Sequence, residues 1–426
     1  MQNYVVSNRI TFRRESFGAI TLHRKRQETR FFNLSAAAII ESCREAKSIG
    51  EIVSSLPAQD IESSALVEQF LHEQCENGIL ERSAPTEKSQ AAFFYSDVGD
   101  FPDDHLYFPL GVEIELTLKC MRSCRYCAYD AHPKAQTESE LTFSEWSQIL
   151  EDIARNGAFF VRFTGGDPLL RADFEDIVRK ADALGLIITV GSDLTALTDA
   201  HIELLSNLEN LYALQTTLDG SVPQQADSLR GAGNFEAVID GVQRLRRRDV
   251  PVIVGTVVNA RNAADIYETA KLVGRLGANG YCAAPLYAAG RGTAAALRHL
   301  LPSNSDLATA ARGLHRAVSE GLVAPADPAW LEATQDAGDR LFDDIWSDQG
   351  VLARRPDALL RIDPMGRAYT SIKLKPALSD SVYLGNVRDK AICELWTSSD
   401  LITTLRERSK PNDYFGDVVD IREMQN

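Results

Sequence analysis

The sequence predicts an α/β fold class with smaller elements at either end, and three observations support this. Between Gly111 and about Ala284, short apolar runs alternate with amphipathic stretches, as in chains that build parallel β/α units. In the first 82 residues strands precede helices, which is typical of a separate α+β module. A cysteine-rich loop and a glycine-rich turn directly follow the first two apolar runs, where parallel β/α folds carry their functional groups. We therefore expect a module over 1–82, a linker over 83–107, a core over 108–300 and a C-terminal region over 301–426.

Composition excludes several classes of protein. The chain has 426 residues, of which 44% are apolar and 25% charged, so it can bury a large core in more than one domain. Its net charge of −15 argues against a general nucleic-acid binder, and no apolar run is long enough to span a membrane. The first ten residues lack a signal-peptide pattern, and seven cysteines are an odd number. We therefore expect a cytoplasmic protein without a disulfide framework and without nucleic-acid or membrane partners.

Six apolar runs of strand length lie in the alternating region. Helical stretches separate them, so they predict six β/α repeats, fewer than the eight of a closed barrel. One of these helices opens with a capping box formed by Thr142 and Glu145. The predicted strands are 112–117, 159–163, 186–190, 211–217, 252–258 and 280–284.

The loop after the first predicted strand reads CMRSCRYC and contains Cys120, Cys124 and Cys127, with the spacing C-x3-C-x2-C. Three thiolates can hold a [4Fe–4S] cluster by three of its irons, which leaves the fourth iron without a protein ligand. Zinc is the alternative, but a structural zinc site needs a fourth ligand, and the nearest candidate, His132, has a spacing that matches no common zinc finger. The spacing therefore favours a cluster with one open coordination position.

This cysteine spacing and the FTGGDP turn after the second strand resemble radical SAM enzymes. The turn is similar to that family's GGEP motif, with Asp167 in place of Glu. The resemblance implies a partial six-stranded (β/α)6 barrel, one [4Fe–4S] cluster on the three cysteines, and S-adenosylmethionine (SAM) bound at the open iron. It also implies that SAM is cleaved to a 5′-deoxyadenosyl radical with an electron from a cellular reductant such as flavodoxin or ferredoxin. Gly165, Gly166 and Asp167 are then expected to contact the SAM amino group.

The same resemblance implies further SAM contacts. Tyr126 is expected to line the adenine, and the PLYAAGRG segment after the sixth strand is expected to cradle it. Ser192 and Thr217 are expected to contact the ribose, although the chain reads GSDLTAL where the family often has a TNG-like turn. Arg230 is expected to bind the SAM carboxylate through its guanidinium, the alternative being an arginine solvated in a loop.

The first 82 residues predict strands over 5–15, 17–25 and 29–32, followed by three helices. This winged-helix-like pattern is similar to the peptide-binding protein of pyrroloquinoline quinone biosynthesis and to the recognition elements of ribosomally made, post-translationally modified peptides (RiPPs). Such modules bind a precursor's leader peptide as an added strand. A DNA-binding winged helix is disfavoured by the negative net charge. Seven basic residues either steer an acidic leader or protect an edge strand from aggregation: Arg9, Arg13, Arg14, Arg24, Lys25, Arg26 and Arg30.

Near the C-terminus, LLRIDPMGRAYTSIKL and LGNVRDKAICELW resemble the SPASM or twitch extension of peptide-modifying radical SAM enzymes. That extension carries cysteines for auxiliary clusters, whereas here it has one, Cys393, which cannot hold a second cluster. A single cluster favours a redox-neutral reaction, epimerisation or a splicing rearrangement, over a crosslink. Epimerisation needs a hydrogen donor, and Cys282 and Cys393 are the candidate thiols. The alternative for each is a small apolar side chain that fills space.

The sequence therefore predicts a radical SAM peptide maturase whose N-terminal module binds a leader peptide. Two alternatives stay open. One is a radical SAM enzyme that acts on a small molecule, with the N-terminal module serving oligomerisation. The other is a non-catalytic binding protein, against which the intact cysteine spacing and the GGDP turn argue.

Overall fold

A computed structural model describes residues 2–26, 28–56, 64–95, 106–286, 289–293, 295–326, 359–370 and 383–403. The described chain forms two compact units. The first unit holds the described residues up to Leu110 together with Arg155–Phe159, and the second holds Gly111–Ala154 and the described residues from Phe160 onward. The sequence-based boundaries at 83, 108 and 301 stay predictions.

The first unit contains two sheets. One has the strand order β4-β3-β2-β7, in which β7 runs parallel to β2, and the other has the order β5-β1-β6. The hairpin predicted around Ser16–Gly18 is present, because β2 and β3 pair antiparallel with Glu15 opposite Gly18. The strands are β1 Asn3–Val6, β2 Ile10–Glu15, β3 Gly18–His23, β4 Glu28–Asn33, β5 Lys47–Ser48, β6 Leu80–Ser83 and β7 Ala92–Phe94.

The single strand predicted over 5–15 is wrong, because it is two strands in different sheets. The chain turns between them at Ser7, whose carbonyl accepts from the Ile10 amide at 3.0 Å and whose hydroxyl accepts from the Arg9 amide at 3.3 Å. A serine that bonds its own neighbouring backbone interrupts the strand ladder. Strand β7 lies within the predicted linker, of which residues 96–105 are outside the described part of the chain.

Helices of the first unit pack on these sheets around one hydrophobic core. Phe12, Phe32 and Phe70 are fully buried in it, and burial of each stabilises the unit by about 1.5–3 kcal/mol. Cys43 is buried in this core and Cys75 packs against it, as predicted. The helices are α1 Leu34–Ser42, α2 Ile49–Ser55 and α3 Ser64–Glu76, and the predicted start of α3 at residue 60 lies outside the described residues.

The second unit is built on one sheet, and all six predicted strands are present in it. They run parallel to one another and neighbour in chain order, which confirms the α/β class. Three more strands extend the sheet beyond the six predicted, because β14 pairs parallel with β8 and two antiparallel strands follow it. The strands are β8 Gly111–Thr117, β9 Phe160–Gly165, β10 Ile187–Gly191, β11 Leu211–Thr217, β12 Val252–Val258, β13 Gly280–Pro285, β14 Leu359–Ile362, β15 Arg367–Tyr369 and β16 Tyr383–Asn386.

Helices separate the parallel strands. The predicted capping box is present: the Glu145 amide donates to the Thr142 hydroxyl at 3.3 Å, and the Glu145 carboxylate accepts from the Thr142 amide at 2.7 Å. No described helix is both long enough and apolar enough to cross a membrane. The helices are α4 Phe143–Arg155, α5 Phe174–Ala183, α6 Asp199–Ser206, α7 Pro223–Arg230, α8 Asn234–Arg246, α9 Ile266–Arg275, α10 Asn304–Ser319 and α11 Ile392–Thr397.

Candidate active site

The three cysteines lie on one closed loop at the carboxyl end of β8. The base of this loop is closed by His132, whose amide donates to the Leu118 carbonyl at 3.1 Å and whose carbonyl accepts from the Cys120 amide at 3.4 Å. A tight turn brings the Cys127 amide to 3.2 Å from the Cys124 carbonyl. All three thiols are free, with Cys120 buried and the other two half-buried. The three predicted ligands therefore lie on one loop whose backbone hydrogen bonds close it at the end of β8.

Two arginines join this loop to other segments of the chain. Arg291, after β13, donates from Nε to the Cys124 carbonyl at 2.9 Å and from Nη2 to the Ala131 carbonyl at 2.8 Å. Gly290 has a φ of 52°, and a Cβ there would lie 2.4 Å from the Cys127 carbonyl oxygen, so only glycine fits. Arg122, inside the loop, donates from Nη2 to the Gly233 carbonyl at 3.1 Å. Sequence reasoning missed both arginines. The GRG triplet in the predicted adenine segment was the available signal for Arg291, and residues 287 and 288 of that segment lie outside the described residues.

The glycine-rich turn packs directly on the cysteine loop. The Gly166 amide donates to the Thr117 carbonyl at 2.7 Å, and the Asp167 amide donates to the Lys119 carbonyl at 2.8 Å. A Cβ on Gly166 would lie 2.1 Å from the Lys119 carbonyl oxygen, and Gly165 has a φ of 109°. The two glycines thus let β9 approach the backbone that carries the cysteines. Their contact with SAM stays a prediction.

Asp167 is fully buried and holds the next strand end in place. Its carboxylate accepts from the Ser192 hydroxyl at 3.0 Å and from the Leu169 amide at 3.1 Å. Burial and the charge of Asp193 raise the pKa of Asp167. Asp193 in turn lies 3.7 Å from the Cys120 Sγ. The Ser192 hydroxyl is therefore engaged with a carboxylate, and its predicted ribose contact stays a prediction.

Tyr126, Asp219 and Arg230 form a buried group that we call the Arg230 cluster. The Tyr126 hydroxyl donates to the Asp219 carboxylate and accepts from Arg230 Nη1 at 2.8 Å, and Arg230 Nη1 lies 3.6 Å from the Asp219 carboxylate. The Arg230 carbonyl oxygen lies 3.8 Å from the Cys124 Sγ. The Arg230 Nε is buried and has no hydrogen-bond partner. An orphaned cationic N–H beside a candidate iron ligand fits the predicted binding of a carboxylate.

Sequence reasoning missed Asp219, although it singled out the TTLDG segment that contains this residue. The Asp219 carboxylate is almost fully buried and also accepts from the Val257 amide at 2.9 Å. It therefore fixes the orientation of both Tyr126 and Arg230.

Burial shifts the pKa values of the thiols in the cysteine loop. Burial raises the pKa of Cys120 to about 12 and also raises the pKa of Cys124, which the charge of Arg230 partly offsets. Such thiols are protonated at neutral pH, and iron binding replaces their protons. A cluster takes one thiolate at each of three irons, so three cysteines spread along one loop fit it.

The two candidate hydrogen donors lie in different settings. Cys282 is on β13, in register with Gly255 and through it with Thr217, so these three residues share one row across β11, β12 and β13. Both Cys282 and Thr217 are half-buried. Cys393 is on α11 and is not part of the sheet. Arg291, which follows β13, contacts the cysteine loop. The roles of Cys282, Thr217 and Cys393 stay predictions.

In the first unit, part of the predicted basic group is engaged within the protein. Arg13 is fully buried, pairs with the buried Glu15 carboxylate at 2.5 Å, and donates to the Phe108 carbonyl at 2.9 Å. Arg24 donates to the Thr11 hydroxyl at 3.0 Å. The charge of Arg13 is therefore neutralised internally and is not available to an acidic peptide.

Comparisons with known proteins agree with this site. Residues 114–273 match the Radical SAM superfamily, which uses a [4Fe–4S] cluster and SAM. The chain is 30% identical over 188 residues to the sporulation killing factor maturation protein SkfB of Bacillus subtilis, covering 44% of this chain and 45% of that protein. It is 32% identical over 179 residues to the AdoMet-dependent heme synthase of Methanosarcina barkeri, covering 42% and 51%. The chain thus spans about half the length of the curated relatives it matches.

Among solved structures, the fold is similar to that of Streptococcus suis SuiB bound to its precursor peptide SuiA. The TM-score is 0.65 with 13% identity, over 95% of this chain and 90% of that chain. SuiB has also been solved with SAM. Residues 114–273 therefore carry a radical SAM domain, a class of domain that uses a [4Fe–4S] cluster and SAM, as the cysteine spacing and the glycine-rich turn predicted.

Proposed function

We propose that this chain, which carries a radical SAM domain, is a peptide maturase that modifies a ribosomally made precursor. The observation that carries the proposal is a complete cysteine loop in a chain that also has a separate N-terminal unit of strands and helices. SkfB is named as a maturation protein, and SuiB has been solved with a precursor peptide. None of the seven cysteines forms a disulfide, which is compatible with the reducing cytoplasm in which we place the enzyme.

When bound, the cluster and SAM supply a 5′-deoxyadenosyl radical that abstracts hydrogen from the substrate. Cys120, Cys124 and Cys127 would each bind one iron of the cluster. Arg230 binds the SAM carboxylate with the N–H groups that the protein leaves unused, and Asp219 holds its guanidinium in place. Tyr126 lines the adenine, and its hydroxyl ties this side of the site to Asp219 and Arg230. Gly165, Gly166, Asp167, Ser192 and Thr217 complete the SAM pocket.

The N-terminal unit binds the leader peptide along β4. This strand is at one end of the four-stranded order, and most of its residues are partly exposed, whereas β3 beside it is fully buried. An extended peptide can add to such a strand through backbone hydrogen bonds. Arg30 on β4 and the exposed Lys25 just before it supply positive charge for an acidic leader.

A double variant tests leader binding. Lys25→Glu together with Arg30→Glu places negative charge beside β4, so the peptide KM rises about tenfold in steady-state kinetics. Arg312→Glu, an exposed charge reversal on α10, serves as the matched control and leaves the peptide KM unchanged. An unchanged KM in the double variant rejects leader binding at β4.

A redox-neutral reaction, epimerisation or a splicing rearrangement, is favoured over a crosslink, because the cysteines outside the loop are too few and too scattered in sequence to suggest a second cluster. In epimerisation, removal of the hydrogen atom from Cα leaves a radical on that carbon. A thiol then donates a hydrogen atom to the opposite face of the Cα radical. Cys282 is the better candidate, since it lies on β13, and Arg291 just after that strand contacts the cysteine loop. The electron and proton that restore the thiol come from a reductant such as flavodoxin or ferredoxin.

The deciding experiment is mass spectrometry of a peptide encoded beside the gene, co-expressed with the enzyme in deuterated water. A gain of one mass unit shows epimerisation, a loss of two shows a crosslink, and a larger loss shows excision. An unmodified peptide in the presence of active enzyme rejects the maturase proposal.

A small-molecule substrate is the second candidate function, and the similarity to a heme synthase favours it. In that case the N-terminal unit serves oligomerisation. The two candidates differ in the flanking DNA, because a maturase requires a short open reading frame for its precursor.

A further inference from the structure

A second arginine-centred group lies on the sheet, outside the residues so far assigned to SAM. Arg361 on β14 donates from Nε to the Glu115 carboxylate on β8. Its guanidinium carbon lies 5.6 Å from the ring centre of Tyr129 and 5.4 Å from that of Tyr369. We call Arg361, Glu115, Tyr129 and Tyr369 the Arg361 cluster.

The contacts of Arg361 leave one part of its guanidinium unused. Within the described residues, no oxygen accepts a hydrogen bond from either Nη nitrogen. The side chain keeps 12% of its surface exposed. Neither Nη atom belongs to the buried polar atoms that lack a partner, so solvent reaches both. Because a carboxylate and two aromatic rings fix the plane of the guanidinium, a ligand that binds it loses little side-chain entropy.

The cluster adjoins the cysteine loop. Tyr129 follows the last ligand, Cys127, by two residues, and its hydroxyl accepts from Thr164, the residue before Gly165, at 3.5 Å. A Cβ on Gly165 would lie 3.1 Å from the Glu115 Cβ. The free Nη groups are therefore on the part of the sheet where a substrate must approach the cofactors.

Neighbouring acids do not fully cancel the charge of Arg361. Burial raises the pKa of Glu115 to about 7, although Arg361 partly offsets this, so Glu115 is partly protonated at neutral pH. Glu113 accepts from the Tyr129 hydroxyl at 3.0 Å and lies 3.9 Å from Arg162. Asp363 is paired with Arg367 at 2.6 Å.

We propose that the two Nη groups of Arg361 bind an acidic side chain of the peptide substrate and so place its neighbouring residue for hydrogen abstraction. A guanidinium fork fits a carboxylate with two parallel hydrogen bonds, which distinguishes Asp or Glu from the amides Asn and Gln. This assignment rests on the proposed function only in that the substrate is a peptide.

Probe peptides test the assignment without turnover. The full-length protein is titrated with N-acetyl-Gly-Glu-Gly-amide and with its Gln counterpart, and binding is followed by ligand-observed NMR. The wild type binds the Glu probe at least tenfold more tightly, and Arg361→Gln abolishes this preference. Arg361→Lys keeps the charge and the partner of Glu115 but reduces the preference. Arg367→Gln, on the same hairpin with its guanidinium already paired, keeps the preference. Equal binding of both probes to the wild type overturns the proposal, and so does a preference that persists in Arg361→Gln.

The precursor provides a second test. Each acidic residue of its core is replaced by the amide, and turnover is measured with wild type and with Arg361→Gln. We expect one of these replacements to slow the wild type at least tenfold. The same replacement should slow Arg361→Gln less than twofold, because this variant already lacks the pair between Arg361 and the acidic side chain of the peptide. If the two effects multiply instead, the Arg361 assignment fails while the maturase proposal stands. If no peptide is modified at all, the maturase proposal fails and the probe titration alone decides the role of Arg361.

Discussion

The Arg230 cluster and the Arg361 cluster have the same three kinds of side chain, an arginine, a tyrosine and a carboxylate, but they use the arginine differently. In the first cluster Nη1 of Arg230 is bound by Tyr126, and Nε is left without a partner. In the second, Nε of Arg361 is bound by Glu115, and both Nη groups are open. Which nitrogen the protein leaves unused decides what an arginine can bind. Arg361 can bind a carboxylate with both of its Nη groups. Arg230 has only the N–H groups that Tyr126 and Asp219 do not engage, among them the buried Nε.

Loss of one predicted iron ligand should have the largest effect, and it tests whether the iron–sulfur cluster binds beside the Arg230 cluster. Cys124→Ala leaves two thiolates, so we expect complete loss of the cluster absorbance, of bound iron and of SAM cleavage in anaerobic preparations. Cys75→Ala, which removes a half-buried thiol of the first unit, is the matched control and retains all three. A coloured, SAM-cleaving Cys124→Ala protein contradicts the assignment.

Removal of the Arg230 guanidinium has the next largest effect. Arg230→Gln weakens SAM binding by about 10- to 100-fold, the equivalent of a lost charge-assisted hydrogen bond of about 1.5–3 kcal/mol. Asp219→Asn has a smaller effect in the same direction, because Asp219 acts by holding Arg230. Equilibrium dialysis with the reconstituted protein measures both. The control, Arg316→Gln, removes an exposed arginine that pairs with Glu320 on the surface. Tight SAM binding by Arg230→Gln would falsify the assignment of Arg230 to the SAM carboxylate.

The Arg361 cluster has a pH signature. The folded pKa of Glu115, about 7, lies above its ordinary value of 4.5, so the folded state holds a proton that the unfolded state releases. The free energy of unfolding therefore falls as pH rises from about 4.5 through 7, by about 2 kcal/mol between pH 5 and pH 8. Glu115→Gln lacks this loss. Urea unfolding of both proteins at the two pH values measures this difference in the free energy of unfolding. Parallel pH profiles would show that the pKa of Glu115 is not raised in the folded state.

The smallest effect is expected from the brace on the cysteine loop. Arg291→Lys keeps the positive charge but loses the fork that joins the Cys124 and Ala131 carbonyls, at a cost of about 1 kcal/mol. Cluster loss to a chelator should be several-fold faster in this variant, followed by absorbance. The exposed Arg298→Lys is the control. Equal rates would show that the loop holds its shape without Arg291.

Local patterns were enough to predict the framework of the second unit. The six parallel strands, the Thr142 capping box and the cysteine loop were all found from spacing alone, since apolar alternation and capping act over a few residues. The members of the Arg230 cluster also come from segments that the sequence marked, with Asp219 overlooked inside TTLDG.

Tertiary pairing decided the rest. Arg361 meets Glu115 across 246 residues of chain because β14 adds to the free edge of β8. The choice of a strand partner depends on which backbone edges remain unpaired after folding, and no short stretch of sequence records that. For the same reason β7, which pairs with β2, was not predicted. The burial of Arg13 was not predicted either, because the sequence alone placed this residue among the surface charges of the first unit. Spacing along the chain predicted the cysteine loop and the glycine-rich turn beside it, and strand pairing across the sheet produced the Arg361 cluster.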